Sequence, residues 1–284
     1  KDSISFGRVL EISGTAFKAS FFYSKDNTFV WDYNREQASG LGMPKMSVTL
    51  VNYNANELKR VYTDEPDRFS NLFTVIDGKW QDEASVRNFF TGYFTHGTVH
   101  KRKQLLRNSN HIVMSLPSVA ACELAVKTLK ALNLPWAPMC ITGNSGNNQA
   151  SIRKHVQAKA NPQTICFTRW ANVVGVTIKE WDTVIHGAKT NSAEFYIQFS
   201  LRAGSTDRKF WRVIDFNSEQ TVSSIVEMLQ ATSNADELEE PGNLLKTFLE
   251  FADINEFDDG FTTLGYEELL QITVKNPEEA IEGI

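Results

Sequence analysis

Two side chains in the last third of the chain, Gln198 and Arg202, have types and a spacing that allow them to act on one ligand. The segment around them is predicted to be helical, and residues four apart on a helix share one face. An amide both donates and accepts hydrogen bonds, and a guanidinium presents a planar fork of donors. The pair therefore predicts a polar binding site on one face of this helix.

Alternating strands and helices are predicted to position these two side chains. The predicted strands are 111–116, 136–142, 164–168, 183–186 and 212–216, and the predicted helices are 119–132, 150–158 and 220–230. Strands 164–168 and 183–186 have the length and β-branched content of buried parallel strands. Because strands that alternate with helices form a parallel sheet, the predicted fold class is α/β, with its ligand-binding edge at the carboxyl ends of the strands.

The chain outside this alternation is less regular. A strand at 6–12 and the turn Ser13-Gly14-Thr15 precede an irregular, aromatic-rich stretch at 21–108. The elements predicted within that stretch are short strands at 28–33 and 47–52 and a helix at 83–94. These features predict an irregular N-terminal inserted or linker segment at 21–108, and an acidic linker with a small helical C-terminal tail at 233–284.

The composition is that of a globular protein, since 42% of the 284 residues are hydrophobic. No apolar run reaches the ~20 residues that span a bilayer, and the first residues lack both Met and the profile of a signal peptide. The cysteines, Cys122, Cys140 and Cys166, are scattered inside predicted core elements, as is typical of reduced thiols. We therefore expect a cytoplasmic protein without a membrane partner, and a fragment excised from a longer chain.

Charge is unevenly distributed along the chain. The net charge of −5 provides no global basic field that would attract nucleic acid. Lys101, Arg102 and Lys103 nevertheless form a local basic cluster just before the first regular strand. Such a cluster either forms a solvated surface or binds phosphates in a local groove.

Four short motifs occur in a fixed order. They are Ser13-Gly14-Thr15, then His111–Ser118, then Gly175-Val176-Thr177 with Trp181-Asp182, and finally Gln198-Phe199-Ser200-Leu201-Arg202. They resemble motifs III, IV, V and VI of the C-terminal half of a superfamily 2 helicase, of the DEAD/DEAH-box or restriction-helicase type. The resemblance covers about residues 4–20 and 110–216. It implies a RecA-like parallel sheet sandwiched by helices at 109–232, preceded at 1–20 by the end of a first motor domain.

The resemblance implies roles for the residues that bind nucleotide. Arg202 would be the arginine finger that stabilises charge on the terminal phosphate of ATP, and Gln198 would orient or sense the nucleotide. Gly175 would give a tight turn, Thr177 would place a hydroxyl near a phosphate, and Asp182 would contact a ribose or the other motor domain. Each of these features also has a structural interpretation, as a strained turn or an exposed helix pair.

Other residues would couple the motor domains or contact nucleic acid. Gly14 and Thr15, in the motif III position, would contribute to the nucleotide site between two motor domains. Ser118, Thr168 and Arg169 lie at or just beyond the ends of predicted strands and would contact nucleic-acid phosphates, as would the basic cluster at 101–103. The resemblance therefore implies DNA, single-stranded or duplex, as a partner.

Two motifs of the family are absent from the sequence. There is no Gly-x-x-x-x-Gly-Lys-Ser/Thr loop that would cradle phosphates, and no Asp-Glu-x-His/Asp pair that would hold Mg²⁺. The resemblance thus implies that ATP and Mg²⁺ are bound mainly by an N-terminal RecA-like domain missing from this chain. A nuclease or methyltransferase partner is a further implication, and no metal ligands are predicted here.

Two alternatives remain open at the level of sequence. Family members carry a second arginine where this chain has Ser205, and a glycine where it has Leu201. These differences and the acidic net charge favour a catalytically inert RecA-like module that binds nucleic acid or assembles with other proteins. A Rossmann-like enzyme is less favoured, because no Gly-x-Gly-x-x-Gly follows a first strand.

Overall fold

A computed structural model describes residues 44–51, 69–95, 104–142, 148–169, 176, 178–190, 192–204, 210–232, 246, 248–250, 252–257 and 261–269. The predicted strands at 6–12 and 28–33 lie outside the described residues. Seven predicted site residues also lie outside them, namely Gly14, Thr15, Lys101, Arg102, Lys103, Gly175 and Thr177. Their roles stay predictions.

Strands and helices alternate through most of the described ranges. The strands are β1 (Lys45–Val51), β2 (Val75–Ile76), β3 (Lys79–Trp80), β4 (His111–Ser115), β5 (Ala137–Ile141), β6 (Thr164–Thr168), β7 (Thr183–His186), β8 (Phe210–Asp215), β9 (Ala252–Phe257) and β10 (Phe261–Thr263). The helices are α1 (Glu83–Phe94), α2 (Val119–Ala131), α3 (Gln149–Val156), α4 (Ala193–Ser200) and α5 (Ser218–Thr232), with 3-10 turns at Phe69–Phe73 and Leu201–Ala203.

One eight-stranded sheet forms the centre of the fold, in the order β10-β9-β1-β8-β7-β4-β6-β5. Its neighbouring strands are parallel, except that β10 runs antiparallel to β9. The connection that leaves β4 leads through α2 to β5 on one side, whereas the connection that leaves β7 leads through α4 to β8 on the other. The order of connections therefore reverses between β4 and β7, and ligands of such sheets bind at the carboxyl edge beside this reversal.

Both faces of the sheet are apolar, because successive strand residues point to opposite sides and both sides carry helices. Val113 and Val184 face a core formed with residues of α3, α4 and α5. Ile112 and Ile185 face a second core, formed with residues of α1 and α2. The prediction of an α/β fold, with a mostly parallel sheet sandwiched by helices, is confirmed.

The predicted inserted segment contributes directly to this fold. Strand β1 pairs in parallel with β8, and its residues alternate between half-buried and buried positions at its start. On the face that carries α1, Phe90 packs edge-on against Phe167 of β6, with ring centroids 5.9 Å apart. Phe69 stacks on Phe216 at 4.3 Å. The division into domains stays a prediction, but β1 and α1 belong to the same packed unit as the sheet.

The C-terminal region contains two strands that were not predicted in addition to the expected helical tail. Residues 252–257 and 261–263 form β9 and β10. Ala252 and Ile254 are buried with an exposed residue between them, and this period of two is that of a half-buried strand. Beyond residue 232, the helical residues that the structure describes are 246, 248–250 and 266–269.

Three of the helices that follow sheet strands begin with a polar cap. Ser118, Asn148 and Ser192 precede α2, α3 and α4, and each accepts a hydrogen bond from a backbone N–H of the first turn. Because these caps lie just beyond the carboxyl ends of β4, β5 and β7, three helix N-termini lie along that edge. Their backbone N–H groups make the carboxyl edge favourable for negative charge.

Candidate functional site

The carboxyl edge of the sheet contains three residues predicted to contact nucleic acid. Arg169 follows the last residue of β6 and is exposed, so its charge is available at this edge. Ser118 is half-buried, and its Oγ accepts the N–H of Ala121 at 3.1 Å. That bond gives Ser118 a structural role as the cap of α2. Its contact with a phosphate stays a prediction.

The predicted contact of Thr168 with a nucleic-acid phosphate is contradicted by the structure. Its side chain is fully buried at the end of β6, and its hydroxyl lies 3.0 Å from the carbonyl oxygens of both Ile141 and Arg169. A hydroxyl that donates inside the sheet and has no exposed surface cannot reach a phosphate. Thr168 therefore fastens β6 to β5, and of the pair Thr168 and Arg169 only the arginine faces solvent.

The predicted pair Gln198 and Arg202 lies at the end of α4. The Nε2 atom of Gln198 donates to Glu194 Oε1 at 3.2 Å, one helical turn earlier. The Nη1 atom of Arg202 donates to the carbonyl oxygen of Val176 at 3.3 Å. Arg202 is half-buried, and this partial burial lowers the pKa of its guanidinium. It forms no ion pair with any carboxylate in the part of the chain that the structure describes.

Arg202 lies just beyond helix α4. Helix α4 follows the carboxyl end of β7 and leads the chain to the amino end of β8. Its last residue, Ser200, lies beside the carboxyl end of β7, because Ser200 Oγ is 2.9 Å from His186 Nε2. The structure brings Arg202 together with Val176, and Gln198 with Glu194.

Asp182 lies at the opposite, amino edge, and this position corrects its predicted role. It is buried, and its Oδ2 atom accepts the backbone N–H groups of Asn110 at 2.9 Å and His111 at 3.2 Å. Its Oδ1 atom accepts the hydroxyl of Thr183 at 2.8 Å. A carboxylate that is used to hold the starts of β4 and β7 together is not available to a ribose. Asp182 is therefore a structural residue.

A buried polar network between α4 and the sheet was missed by the sequence analysis. The ring of His186, at the end of β7, stacks on Tyr196 with centroids 4.0 Å apart, and its Nε2 atom lies 2.9 Å from Ser200 Oγ. Asp215, at the end of β8, accepts the hydroxyl of Thr221 at 2.7 Å. Thr221 in turn lies 2.9 Å from the hydroxyl of Tyr196. All five side chains are buried.

Burial shifts the pKa values of His186 and Asp215, which end β7 and β8, in opposite directions. It lowers the pKa of His186 to about 3, so the ring is neutral near pH 7. It raises the pKa of Asp215 to about 7, although hydrogen bonds from Thr221 and Asn217 oppose the shift. One sequence feature pointed to both residues: each ends an apolar strand, in the runs TVIH and RVID, where a titratable group is unusual.

The other metal-binding and nucleophilic side chains among the described residues form no second candidate site. Among the described residues, no cluster of three or more His, Cys, Asp or Glu side chains is arranged to hold a metal ion. The three cysteines form no disulfide bond, and burial raises the pKa of Cys166 to about 12. No helix in the described ranges is both long and apolar enough to cross a membrane.

No protein-family model matches the chain, and no curated protein matches its sequence. Solved structures resemble it at low identity. The ATP-dependent Type ISP restriction-modification enzyme LlaBIII bound to DNA has 12% identity and a TM-score of 0.48, over 90% of this chain and 18% of that one. The E. coli DExH-box NTPase HrpB has 12% identity and a TM-score of 0.38, over 78% of this chain and 29% of that one.

A third similar structure is domain 2 of the DEAD-box helicase Mss116p bound to an RNA duplex. It has 14% identity and a TM-score of 0.33, over 72% of this chain and 75% of that one. The chain spans only 18% and 29% of the first two proteins. Its fold class follows from the parallel sheet and the two helical layers described above.

Proposed function

We propose that the chain is the C-terminal motor domain of an ATP-dependent superfamily 2 DNA helicase or translocase. The observation that supports this most directly is the half-buried guanidinium of Arg202, which contacts a backbone carbonyl but no carboxylate among the described residues. A partly desolvated cation without a counter-charge has a strong tendency to bind an anion. Its position after α4 matches the place of the arginine finger in the family's motif VI.

The chemistry assigned to this chain is charge stabilisation. When ATP and Mg²⁺ are bound, phosphoryl transfer spreads negative charge over the terminal phosphate oxygens. Arg202 would donate to those oxygens on domain closure, and it would exchange the weak bond to Val176 for a charge-assisted one. Gln198 would orient the nucleotide after release from Glu194. An N-terminal RecA-like domain would supply the phosphate loop and the acidic pair.

Nucleic acid would follow the carboxyl edge. Arg169 is exposed there after β6, and Lys189 is exposed in the connection that leaves β7. The N-termini of α2, α3 and α4 add backbone donors along the same edge. The predicted contributors outside the described residues are Lys101, Arg102 and Lys103. A DNA strand would therefore run beside the reversal of the sheet order.

The broader setting is part of the same proposal. A cytoplasmic location agrees with three cysteines that form no disulfide bond, and we retain a nuclease or methyltransferase as a candidate partner. The second candidate function is a catalytically inert nucleic-acid-binding or assembly module. It is favoured by the internal use of Asp182, which leaves fewer groups for a nucleotide than the motifs predicted.

A salt titration of DNA binding tests the proposed carboxyl-edge contact. Fluorescence anisotropy with a labelled single-stranded oligonucleotide should show binding at low salt, and Arg169→Ala should weaken it and reduce the salt slope by about one. Lys79→Ala, on the exposed β2–β3 hairpin, is the matched control. No affinity at low salt, or an equal effect of the two variants, would contradict the proposed edge.

Hydrolysis tests the motor assignment. The chain alone should not hydrolyse ATP, because no phosphate-binding loop occurs in its sequence. In a protein that joins this chain to a first motor domain with a phosphate-binding loop, Arg202→Ala should lower DNA-stimulated ATPase activity by about 10³-fold or more and leave DNA binding unchanged. ATPase activity that persists in this variant would favour the inert module or another fold-sharing function.

A further inference from the structure

Helix α4 is fastened to the sheet by polar bonds as well as by apolar packing. His186 Nε2 meets Ser200 Oγ on its last turn at 2.9 Å, and Trp211 Nε1 donates to the Ser200 carbonyl oxygen at 3.0 Å. On the first half of the helix, the hydroxyl of Tyr196 meets Thr221 of α5 at 2.9 Å. Apolar contacts tolerate small rotations of a helix, whereas directional hydrogen bonds do not. These bonds fix the rotation of α4 about its axis.

The hydrogen-bond pattern also assigns the proton on the histidine. A serine hydroxyl has one hydrogen, and that of Ser200 is donated to the carbonyl oxygen of Tyr196 at 2.9 Å. Ser200 Oγ must therefore accept from His186 Nε2, so this nitrogen carries the ring proton. Because the buried ring is neutral, its Nδ1 atom is left with a lone pair.

A donor lies beside this lone pair on the neighbouring strand. Ser115 ends β4 at the register position opposite His186, so the two side chains share one face of the sheet. Both are completely buried, and neither Ser115 Oγ nor His186 Nδ1 has a hydrogen-bond partner among the described residues. The strand ends are held close, since Gly187 N–H donates to the Ser115 carbonyl oxygen at 3.1 Å. The lone pair of His186 Nδ1 therefore lies on the strand beside the hydroxyl of Ser115, and each of these two groups lacks a hydrogen-bond partner among the described residues.

We infer that His186 is a positioning residue that links the end of β4 to helix α4. Its Nε2–H donates to Ser200, and its Nδ1 accepts from Ser115, directly or through one water. Beyond β4 the chain continues into the connection at Leu116–Ser118, and beyond Ser200 it continues to Arg202. A displacement at the carboxyl edge is thereby transmitted to the helix that carries Gln198 and Arg202. Only this last consequence rests on the proposed function.

The tautomer is measured by NMR of the chain labelled with ¹⁵N-histidine. The chain contains five histidines, and the His186 signals are identified by their loss in His186→Gln. We expect a proton on Nε2, a bare Nδ1 and no titration between pH 5 and 8. Ser115→Ala should move the Nδ1 resonance towards that of an unbonded nitrogen and leave Nε2 almost unchanged. The control is Ser109→Ala, a buried serine whose Oγ lies 2.8 Å from Thr183 Oγ1, beside the amino ends of β4 and β7.

Positioning is distinguished from simple packing by a pair of histidine replacements. Glutamine can place an N–H near the position of Nε2, whereas the shorter asparagine ends near Nδ1 and cannot reach Ser200. Hydrogen exchange of the peptide 193–203 should therefore be close to wild type in His186→Gln and roughly tenfold faster in His186→Asn, relative to the reference peptide 119–131. A role in packing alone would raise exchange in both variants alike.

The outcomes separate this inference from the proposed function. A proton on Nδ1, normal titration of His186, or equal exchange in the glutamine and asparagine variants would overturn the positioning role. An Nδ1 resonance unaffected by Ser115→Ala would overturn the link to β4. None of these measurements involves nucleotide or DNA. If the predicted NMR and exchange results are found and the DNA titration fails, the proposed function alone is contradicted.

Discussion

The guanidinium of Arg202 donates to the carbonyl oxygen of Val176, and this 3.3 Å bond joins the end of α4 to the connection between β6 and β7. Two motifs that are separated in the sequence therefore meet through one weak hydrogen bond. Such a bond is easily exchanged for a stronger partner, because a neutral carbonyl competes poorly with a phosphate. We interpret the contact with Val176 as the position of the Arg202 side chain before its proposed contact with a phosphate.

Removal of this bond should affect stability only slightly. We expect Arg202→Ala to lower the free energy of unfolding by about 1 kcal/mol, since a half-buried hydrogen bond to a carbonyl has a modest net value. Urea denaturation measures the change, with the exposed Arg107→Ala as a control that should stay within about 0.5 kcal/mol of wild type. A loss above about 3 kcal/mol would assign Arg202 a structural role.

The pH dependence of stability should show two opposing contributions. The pKa of His186 falls from 6.5 to about 3 on folding, so the unfolded chain binds a proton first as pH falls, and stability decreases below about pH 6.5. The pKa of Asp215 rises from 3.8 to about 7, so the unfolded chain releases a proton first as pH rises, and stability decreases from about pH 3.8 to 7. In the overlapping range the two slopes largely cancel.

Asp215→Asn should isolate the aspartate contribution. The difference in unfolding free energy between the variant and wild type should grow with pH from 4 to 6.5, by up to about 1.4 kcal/mol per unit. Urea denaturation at four pH values measures this difference, in which all other titrating groups are common to both proteins. Parallel stability curves would show that Asp215 is ionised normally in the folded protein.

The aromatic layer should unfold together with the sheet. Phe69→Ala removes a buried ring that stacks on Phe216 and contacts Phe73 and Phe89, and should cost about 3–5 kcal/mol. Ile76→Ala, on an exposed position of the hairpin, should cost less than about 1 kcal/mol. Calorimetry should show a single transition in both. Two separate transitions would instead support the sequence-based division at residue 109.

Replacement of Gly187 and of Gly92 by alanine should change the stability of the protein in opposite directions. A Cβ atom on Gly187 would lie 2.6 Å from Met114 Cε and from the Ser115 carbonyl oxygen, so Gly187→Ala should destabilise by about 1–3 kcal/mol. Gly92 lies inside α1 with no atom within 4 Å of a Cβ, and Gly92→Ala should stabilise by about 0.5–1 kcal/mol. Thermal denaturation of both variants checks the pair, and a shift of the same sign would contradict the close approach at β7.

Local sequence determined several elements well. The bounds of α1, β6 and β7 are those predicted, because a cap at Asp82 and short apolar runs bounded by polar residues leave little choice. The pairing of β1 with β8 could not be predicted, since it depends on contacts between distant parts of the chain. Strand β9 was missed because its charged and amide residues conceal the buried alternation.

The site was harder to predict than the fold. A polar residue at a strand end has the same appearance in the sequence whether it faces a ligand or a backbone amide. Asp182 and Thr168 prove to face backbone groups, while Arg169 faces solvent. His186 and Asp215 were overlooked because their partners lie on α4 and α5, and only the packing of those helices brings the groups together.

The position of β1 between β8 and β9 bears on how the chain is synthesised. Both strands that pair with β1 are encoded after it, so β1 leaves the ribosome long before a partner exists. Strands β4 to β8 can assemble first, and β1 must then be captured on the free edge of β8. Pairing over such a distance is slow, and an apolar strand that waits for it is prone to aggregate. Completion of the sheet, rather than formation of its central strands, is thus the step at which nascent chains are most vulnerable.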